Sequence, residues 1–397
     1  MLFTKQIIGA FFILVVVSCS QPDTTPAPVV LRSATDKISR TSGELKNFLA
    51  KTGLALSPDI LQHDVDVYSV TYQTTYFEKV ITASGLVILP KTTDSVGMVS
   101  FHHGTIASHG EAPSVLSLYD PEVLLYTCMA SPGFIAVIPD FIGFGSSSNV
   151  PHPYYVEDAS ASAVIDLLKA ARELALQKKV AFNGKLFLAG YSQGGYVTMA
   201  THKAIESNGL ANFKLIASFP SSGGYDIKGM QHYLFAQEIY NEPFFIADVA
   251  LAYQTYYHWS APLTDFFIPR YAAAIPSLFD GTKTGSQIND HLNDTIPKFI
   301  NPDLLATIDT NPKYHYIVDG FTQNSLLDWK PTVRMYMFHG DADTTIPFQN
   351  SIDTYNQLIN NGASPATLTL TAFAGATHGT GVVPYIETFV PMLISLK

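Results

Sequence analysis

The chain has 397 residues, 47% hydrophobic and 14% charged, enough to bury a large core in one α/β domain that carries an insertion. Its 23 Lys and Arg stand against 33 Asp and Glu, for a formal charge of −10, and no clustered basic face offers the contacts a phosphate backbone requires, which excludes nucleic acid as a partner. No internal repeat of about 20–50 residues is present, so solenoids and propellers are excluded too.

Lys5 precedes an apolar run from Ile7 to Val17, too short to span a bilayer and of the length of a signal-peptide core. The run ends in Val16-Val17-Ser18-Cys19, which resembles the bacterial lipobox. The resemblance implies that residues 1–18 are a lipoprotein signal peptide and that Cys19 carries a lipid anchoring the protein to a membrane of the bacterial cell envelope. Ser20, rather than Asp, after the cysteine points to the outer membrane. Residues 19–35, rich in Pro and Thr, read as a tether. Only Cys128 then remains as a thiol, so no internal disulfide holds the mature chain.

Residues 64–77 and 79–90 are rich in β-branched and aromatic side chains and lie close together, which predicts an antiparallel pair. Short apolar runs follow at 96–101, 133–139, 185–190, 214–220, 333–338 and 366–373, the pattern of strands buried on both faces of a parallel sheet. Helical segments separate them. The clearest is 158–177, where Val164, Ile165, Leu167, Leu168, Ala171 and Leu174 recur at spacings of three and four. Strands alternating with helices imply a doubly wound, mostly parallel sheet with helices on both faces, whose functional crevice lies beyond the carboxyl ends of the strands.

Gly190-Tyr191-Ser192-Gln193-Gly194 sits at such an end, between the strand signal KLFLA and the helical stretch YVTMATHKAIE. It matches G-x-S-x-G, the sharp strand-to-helix turn that exposes a nucleophilic serine. A Gly-rich loop is the alternative, since the pattern arises often by chance; the strand-turn-helix setting favours the nucleophile. A serine hydroxyl needs a base, and the base needs an orienting carboxylate. Behind such a turn the partners follow in the order acid, then His. His378, in GATHGTG, is the histidine that lies after the candidate acids Asp341 and Asp343.

Together these motifs resemble the α/β-hydrolase superfamily, and more closely its secretory lipases and esterases. The resemblance runs over most of residues 64–395, through SFHHGT (100–105), IPDFIGFGSSS (138–148), HPYYVEDASASAVIDLLKAA (152–171), GYSQGG (190–195), HGDADTTIP (339–347) and GATHG (375–379). It implies an α/β-hydrolase fold and a Ser192–His378–Asp343 triad, Asp343 being selected by alignment of Gly340-x-x-Asp343-x-x-Ile346-Pro347 with the usual G-x-x-D-x-x-[VI]-P loop. It further implies an oxyanion hole built from the backbone N–H groups of Thr105, with Gly104 as the near alternative, and Gln193.

The remaining polar residues receive structural readings. His102 and His103 brace backbone, His152 helps position the Asp140-x-x-Gly143-x-Gly145 loop, and that loop lacks the spacing of a dinucleotide-binding G-x-G-x-x-G. Adjacent histidines without a carboxylate at ligand spacing make no zinc site. No metal and no cofactor are expected.

Residues 225–330 interrupt the strand-helix alternation and contain 19 aromatics, with 12 Asp and Glu against 6 Lys and Arg. They read as a helical cap inserted into a catalytic domain of residues 36–224 and 331–397. Most of these aromatics form the cap's own core; the rest line an apolar pocket. The expected function is cleavage of carboxylic esters, including lipid esters, through an acyl-enzyme. An aminopeptidase of the same fold is the alternative, with Glu238, Glu242 or Asp248 holding a substrate amine. A non-catalytic surface binding protein is the second.

Overall fold

The computed structural model describes residues 29–397. The segment read as a signal peptide, Cys19 and most of the tether lie outside the described residues. The tether expected through residue 35 ends earlier, because Leu31–Arg40 forms strand β1. This strand escapes a reading by pattern because LRSATDKISR carries almost no apolar residues. It lies at the sheet edge, mostly exposed, and pairs only with β2, with Leu31 opposite Tyr72 and Arg40 opposite Val65.

The remaining strands are β2 (Val65–Tyr76), β3 (Lys79–Pro90), β4 (Val96–His102), β5 (Phe134–Pro139), β6 (Phe182–Tyr191), β7 (Lys214–Ser221), β8 (Arg334–Gly340) and β9 (Leu368–Phe373). They form one nine-stranded sheet in the order β1-β2-β3-β5-β4-β6-β7-β8-β9. β1, β2 and β3 pair antiparallel, β3 joins β5 antiparallel, and every later pairing is parallel. β4 and β5 are buried along their whole length, as a strand covered on both faces must be.

Helices α1 (Ser42–Leu49), α2 (Pro121–Ala130), α3 (Glu157–Gln177) and α4 (Gln193–Asn208) flank the sheet. Of the expected apolar stripe of α3, Val164, Leu167, Leu168, Ala171 and Leu174 are fully enclosed, while Ile165 is only partly buried at the edge of that face. Seven helices follow between β7 and β8: α5 (Ile227–Phe235), α6 (Pro243–Tyr256), α7 (Pro269–Leu278), α8 (Gly285–Asn289), α9 (Ile296–Phe299), α10 (Pro302–Thr307) and α11 (His315–Asn324). α12 (Phe348–Asn360) and α13 (Val382–Ser395) complete the chain.

The seven-helix segment shares one hydrophobic core with the sheet face that α3 and α4 cover. Polar bonds pin it there. Tyr196 Oη donates to Asn324 O at 2.8 Å, Tyr253 Oη to Tyr155 O at 2.9 Å, and Tyr240 Oη to Thr345 O at 3.2 Å. The last of these ties the inserted helices to the loop that carries Asp343.

Candidate active site

β6 runs into α4 through Ser192, which stands at the helix N-terminus with φ 59° and ψ −123°. A side chain in that region is strained, and its surroundings must enforce it. The neighbouring glycines allow them to. A Cβ on Gly190 would lie 2.3 Å from Gly194 O, one on Gly194 would lie 1.9 Å from His102 O, and one on Gly195 would lie 2.2 Å from Ser221 O. Three backbone segments therefore close on the turn, and the serine is pushed out at its apex.

His378 Nε2 accepts from Ser192 Oγ at 2.9 Å, and His378 Nδ1 donates to Asp343 Oδ2 at 2.7 Å. Asp343 Oδ1 accepts the backbone N–H groups of both Thr345 and Ile346 at 2.9 Å. His339 Nε2 also lies 3.2 Å from Asp343 Oδ2. Burial works to raise the Asp343 carboxyl, but hydrogen bonds from His339 and His378 overcome it and hold the group at about 2. An anion next to Nδ1–H leaves Nε2 free to take a proton from the serine.

Asp341 does something else: its exposed carboxylate accepts Gly375 N–H at 2.6 Å, anchoring the start of the His378 loop. Tyr191 Oη donates to His378 O at 2.6 Å and fixes the loop from the other side. Reading the sequence missed both Tyr191 and His339. The i,i+4 spacing of His339 and Asp343 in HGDAD was the available signal for the second.

The HHGT loop reaches the same place. A Cβ on Gly104 would stand 3.8 Å from Ser192 Cβ, and among the described residues the backbone N–H groups of Thr105 and Gln193 donate to no protein acceptor. Gln193 is the first residue of α4, where N–H groups are unpaired and the helix dipole is positive. Two free donors beside a serine hydrogen-bonded to a His-carboxylate pair can stabilise a negative oxygen formed by attack on a carbonyl.

A model of the alpha/beta hydrolase family matches residues 101–387, which include every residue of this constellation. The chain belongs to the alpha/beta hydrolase family. Among solved structures, a ligand-bound form of the rice cell wall degrading esterase LipA from Xanthomonas oryzae is 25% identical and superposes with a TM-score of 0.80 over 94% of this chain and 98% of its own. A Legionella pneumophila protein, 23% identical, reaches 0.81 over 92% and 98%. Candida antarctica lipase A in its closed state, 14% identical, shares the fold with a TM-score of 0.66 over 93% and 83%. No curated protein matches the chain.

In this member of the hydrolase family His102, His103 and His152 hold backbone and side chains in place. His102 is buried between Ser100 Oγ at 3.0 Å and Thr198 Oγ1 at 2.7 Å, bridging β4 to α4, and burial pushes its imidazole down to about 3. His103 Nδ1 donates to Gly104 O at 2.7 Å while its ring packs on Phe141. His152 Nδ1 donates to Ile142 O at 2.6 Å, and its Nε2 accepts from the Gln193 amide at 2.7 Å. Burial lowers His152 to about 4. Asp140, whose buried carboxyl is raised by desolvation, accepts from Ser84 Oγ, Ser114 Oγ and Ser114 N.

Ser192 is only 7% exposed and lines neither of two cavities in this part of the molecule. One, of about 90 Å³, is almost wholly apolar and runs between the inserted helices from Tyr154 and Ile346 to Leu304 and Phe321. Tyr154 bonds Thr105 Oγ1 at 2.8 Å, and Ile346 bonds Asp343, so its mouth abuts the constellation. The second, of about 360 Å³, is bounded by Ile106, His152 and Asp248. Of the three cap carboxylates that suggested an amine site, Glu238 is exposed, Glu242 accepts from Asn289 at 2.6 Å, and Asp248 faces this second cavity.

Proposed function

We propose that the protein is a serine hydrolase of carboxylic esters. The observation that carries this reading is the unbroken hydrogen-bonded chain from Ser192 through His378 to Asp343, standing on a strained turn beside two unpaired N–H donors. Ser192 Oγ attacks the ester carbonyl as His378 Nε2 takes its proton. The carbonyl oxygen becomes an anion held by the N–H groups of Thr105 and Gln193, each donor contributing about 3 kcal/mol of transition-state stabilisation. His378 then protonates the departing alcohol, and Asp343 stabilises the imidazolium meanwhile. Water, deprotonated by the same imidazole, attacks the acyl-enzyme and releases the acid.

The apolar cavity supports an aliphatic or aromatic acyl group as the buried half of the substrate. The 25% identity to an esterase over nearly the full chain supports ester rather than peptide chemistry. A fluorophosphonate probe should label Ser192 and leave Ser192→Ala untouched. On p-nitrophenyl esters, kcat/KM should rise from acetyl to longer acyl groups by up to about fourfold per methylene, from about 0.8 kcal/mol of burial each. A protein that ignores the probe, or that cleaves only free-amine peptides, would overturn the reading.

A further inference from the structure

The inserted helix α6 is apolar on nearly every side, in the run FFIADVALAY, yet it turns one carboxylate inward at Asp248. The residue is 7% exposed. No cation reaches it among the described residues, and burial alone acts on the carboxyl, pushing it well above the usual carboxylate range. Such a group costs folding energy, since a hydrophobic side chain of similar size would serve the helix better. It forms part of the wall of the second cavity.

That wall is one-sided in charge. No Lys or Arg lines it, and the other acid on it, Asp280, is already satisfied by Lys283 and by Thr282. The aromatic residues Phe144 and Phe279 also line it, and aromatic rings attract cations. The wall of this cavity shares no residue with that of the apolar one. Two residues of its wall are joined to those that carry the unpaired N–H donors: Ile106 follows Thr105 in the chain, and His152 holds the Gln193 side chain. With the acyl group in the apolar cavity, the alcohol portion points here.

We propose that this second cavity is a subsite for an ammonium group on the alcohol portion of the substrate, with Asp248 as its counter-ion. The inference rests on the esterase reading for its orientation, but the cation site stands on its own geometry. A positive charge brought to an unpartnered, desolvated carboxylate restores its ionised form at the moment of binding. A neutral alcohol offers no such gain.

The test compares butyrylcholine with its neutral carbon isostere, 3,3-dimethylbutyl butyrate, on the full chain and on Asp248→Asn. The natural protein should favour the cationic ester in kcat/KM by about tenfold or more, equivalent to about 1.4 kcal/mol, and Asp248→Asn should bring the ratio to near one. Calorimetry with choline chloride should give binding to the natural protein and none to Asp248→Asn. The melting temperature of Asp248→Asn should be unchanged or higher, as expected when a binding group is removed at no cost to the fold. Should neither ester be cleaved while choline still binds in an Asp248-dependent way, the esterase reading fails and the subsite stands. Both esters cleaved at equal rates with a flat choline titration would overturn the subsite and leave the esterase. A preference that survives in Asp248→Asn overturns it as well, and a second variant that fills the cavity, Thr255→Phe, should reproduce the loss of choline binding.

Discussion

Replacing Asp343 by Asn tests the constellation most sharply, because the local bonds dictate how the amide must sit. Two backbone donors, Thr345 N–H and Ile346 N–H, point at Oδ1, each at 2.9 Å. The Asn oxygen must therefore stay with them, and the NH₂ group turns toward His378 Nδ1, 2.7 Å from the present Oδ2. Nδ1 is forced to accept, its proton moves to Nε2, and Nε2 can no longer take the proton of Ser192. The comparable change in a serine protease costs about 10⁴ in rate, about 5.4 kcal/mol of transition-state stabilisation. Asp341→Asn is the control. Its one bond is to Gly375 N–H, which an amide oxygen accepts as well, so the loss should stay below about tenfold. We would measure kcat/KM for p-nitrophenyl butyrate on both purified variants, with thermal melts to verify folding. A folded Asp343→Asn with near-natural activity beside a crippled Asp341→Asn would refute the assignment.

Gly194→Ala should destabilise the protein by more than about 4 kcal/mol, because its Cβ would meet His102 O at 1.9 Å and other backbone atoms nearby; Gly53→Ala, where nothing lies within 4 Å, should cost only about 1–2 kcal/mol for its positive φ, and equal melts for the two would contradict the packing argument. Acid should weaken the fold early. His102 and His152 are held by burial at about 3 and about 4, so between those values and the usual histidine range the unfolded chain binds more protons than the folded one. Their contribution is complete above about pH 6.5 and falls as the pH drops, at about 2 kcal/mol per unit between pH 6 and 5; denaturant titrations should show this slope, shallower in His102→Gln, and a flat profile would refute it. Cys19→Ala should abolish incorporation of a labelled fatty acid if that residue bears the proposed anchor, and undiminished labelling would sink the proposal.

Most of the sheet was legible because its inner strands are short, apolar runs between helical stretches, and burial on both faces leaves that mark on composition. β1 left none. An exposed edge strand is held by backbone bonds to a single neighbour, and Leu31–Arg40 needs no apolar face to make them. Ser192 and His378 could be read from the turn motif and the chain order usual behind it, whereas that order left Asp341 and Asp343 both open and only the resemblance of the loop to G-x-x-D-x-x-[VI]-P selected Asp343. The groups that support them could not be read, because they meet only after folding: Gln193 and His152 are 41 residues apart, and Tyr191 and His378 are 187. Asp248 was readable only as one of three acids in the cap. Its isolation is a property of the packed helices and has no local signature.

The direction of β1 has a consequence for how the molecule would be moored. The strand runs antiparallel to β2, and β2 and β3 alternate in turn, so Leu31 stands at the same end of the sheet as the carboxyl termini of β4 and β6. The chain enters this strand against the last turns of α3, where the Glu173 carboxylate accepts the N–H groups of Val30 and Leu31 at 3.0 and 2.9 Å. A lipid attached at Cys19, 12 residues upstream, would hold this edge of the sheet at a standoff of at most about 40 Å from the bilayer, the reach of that many extended residues. A substrate released from the same membrane would then start within that distance of the body.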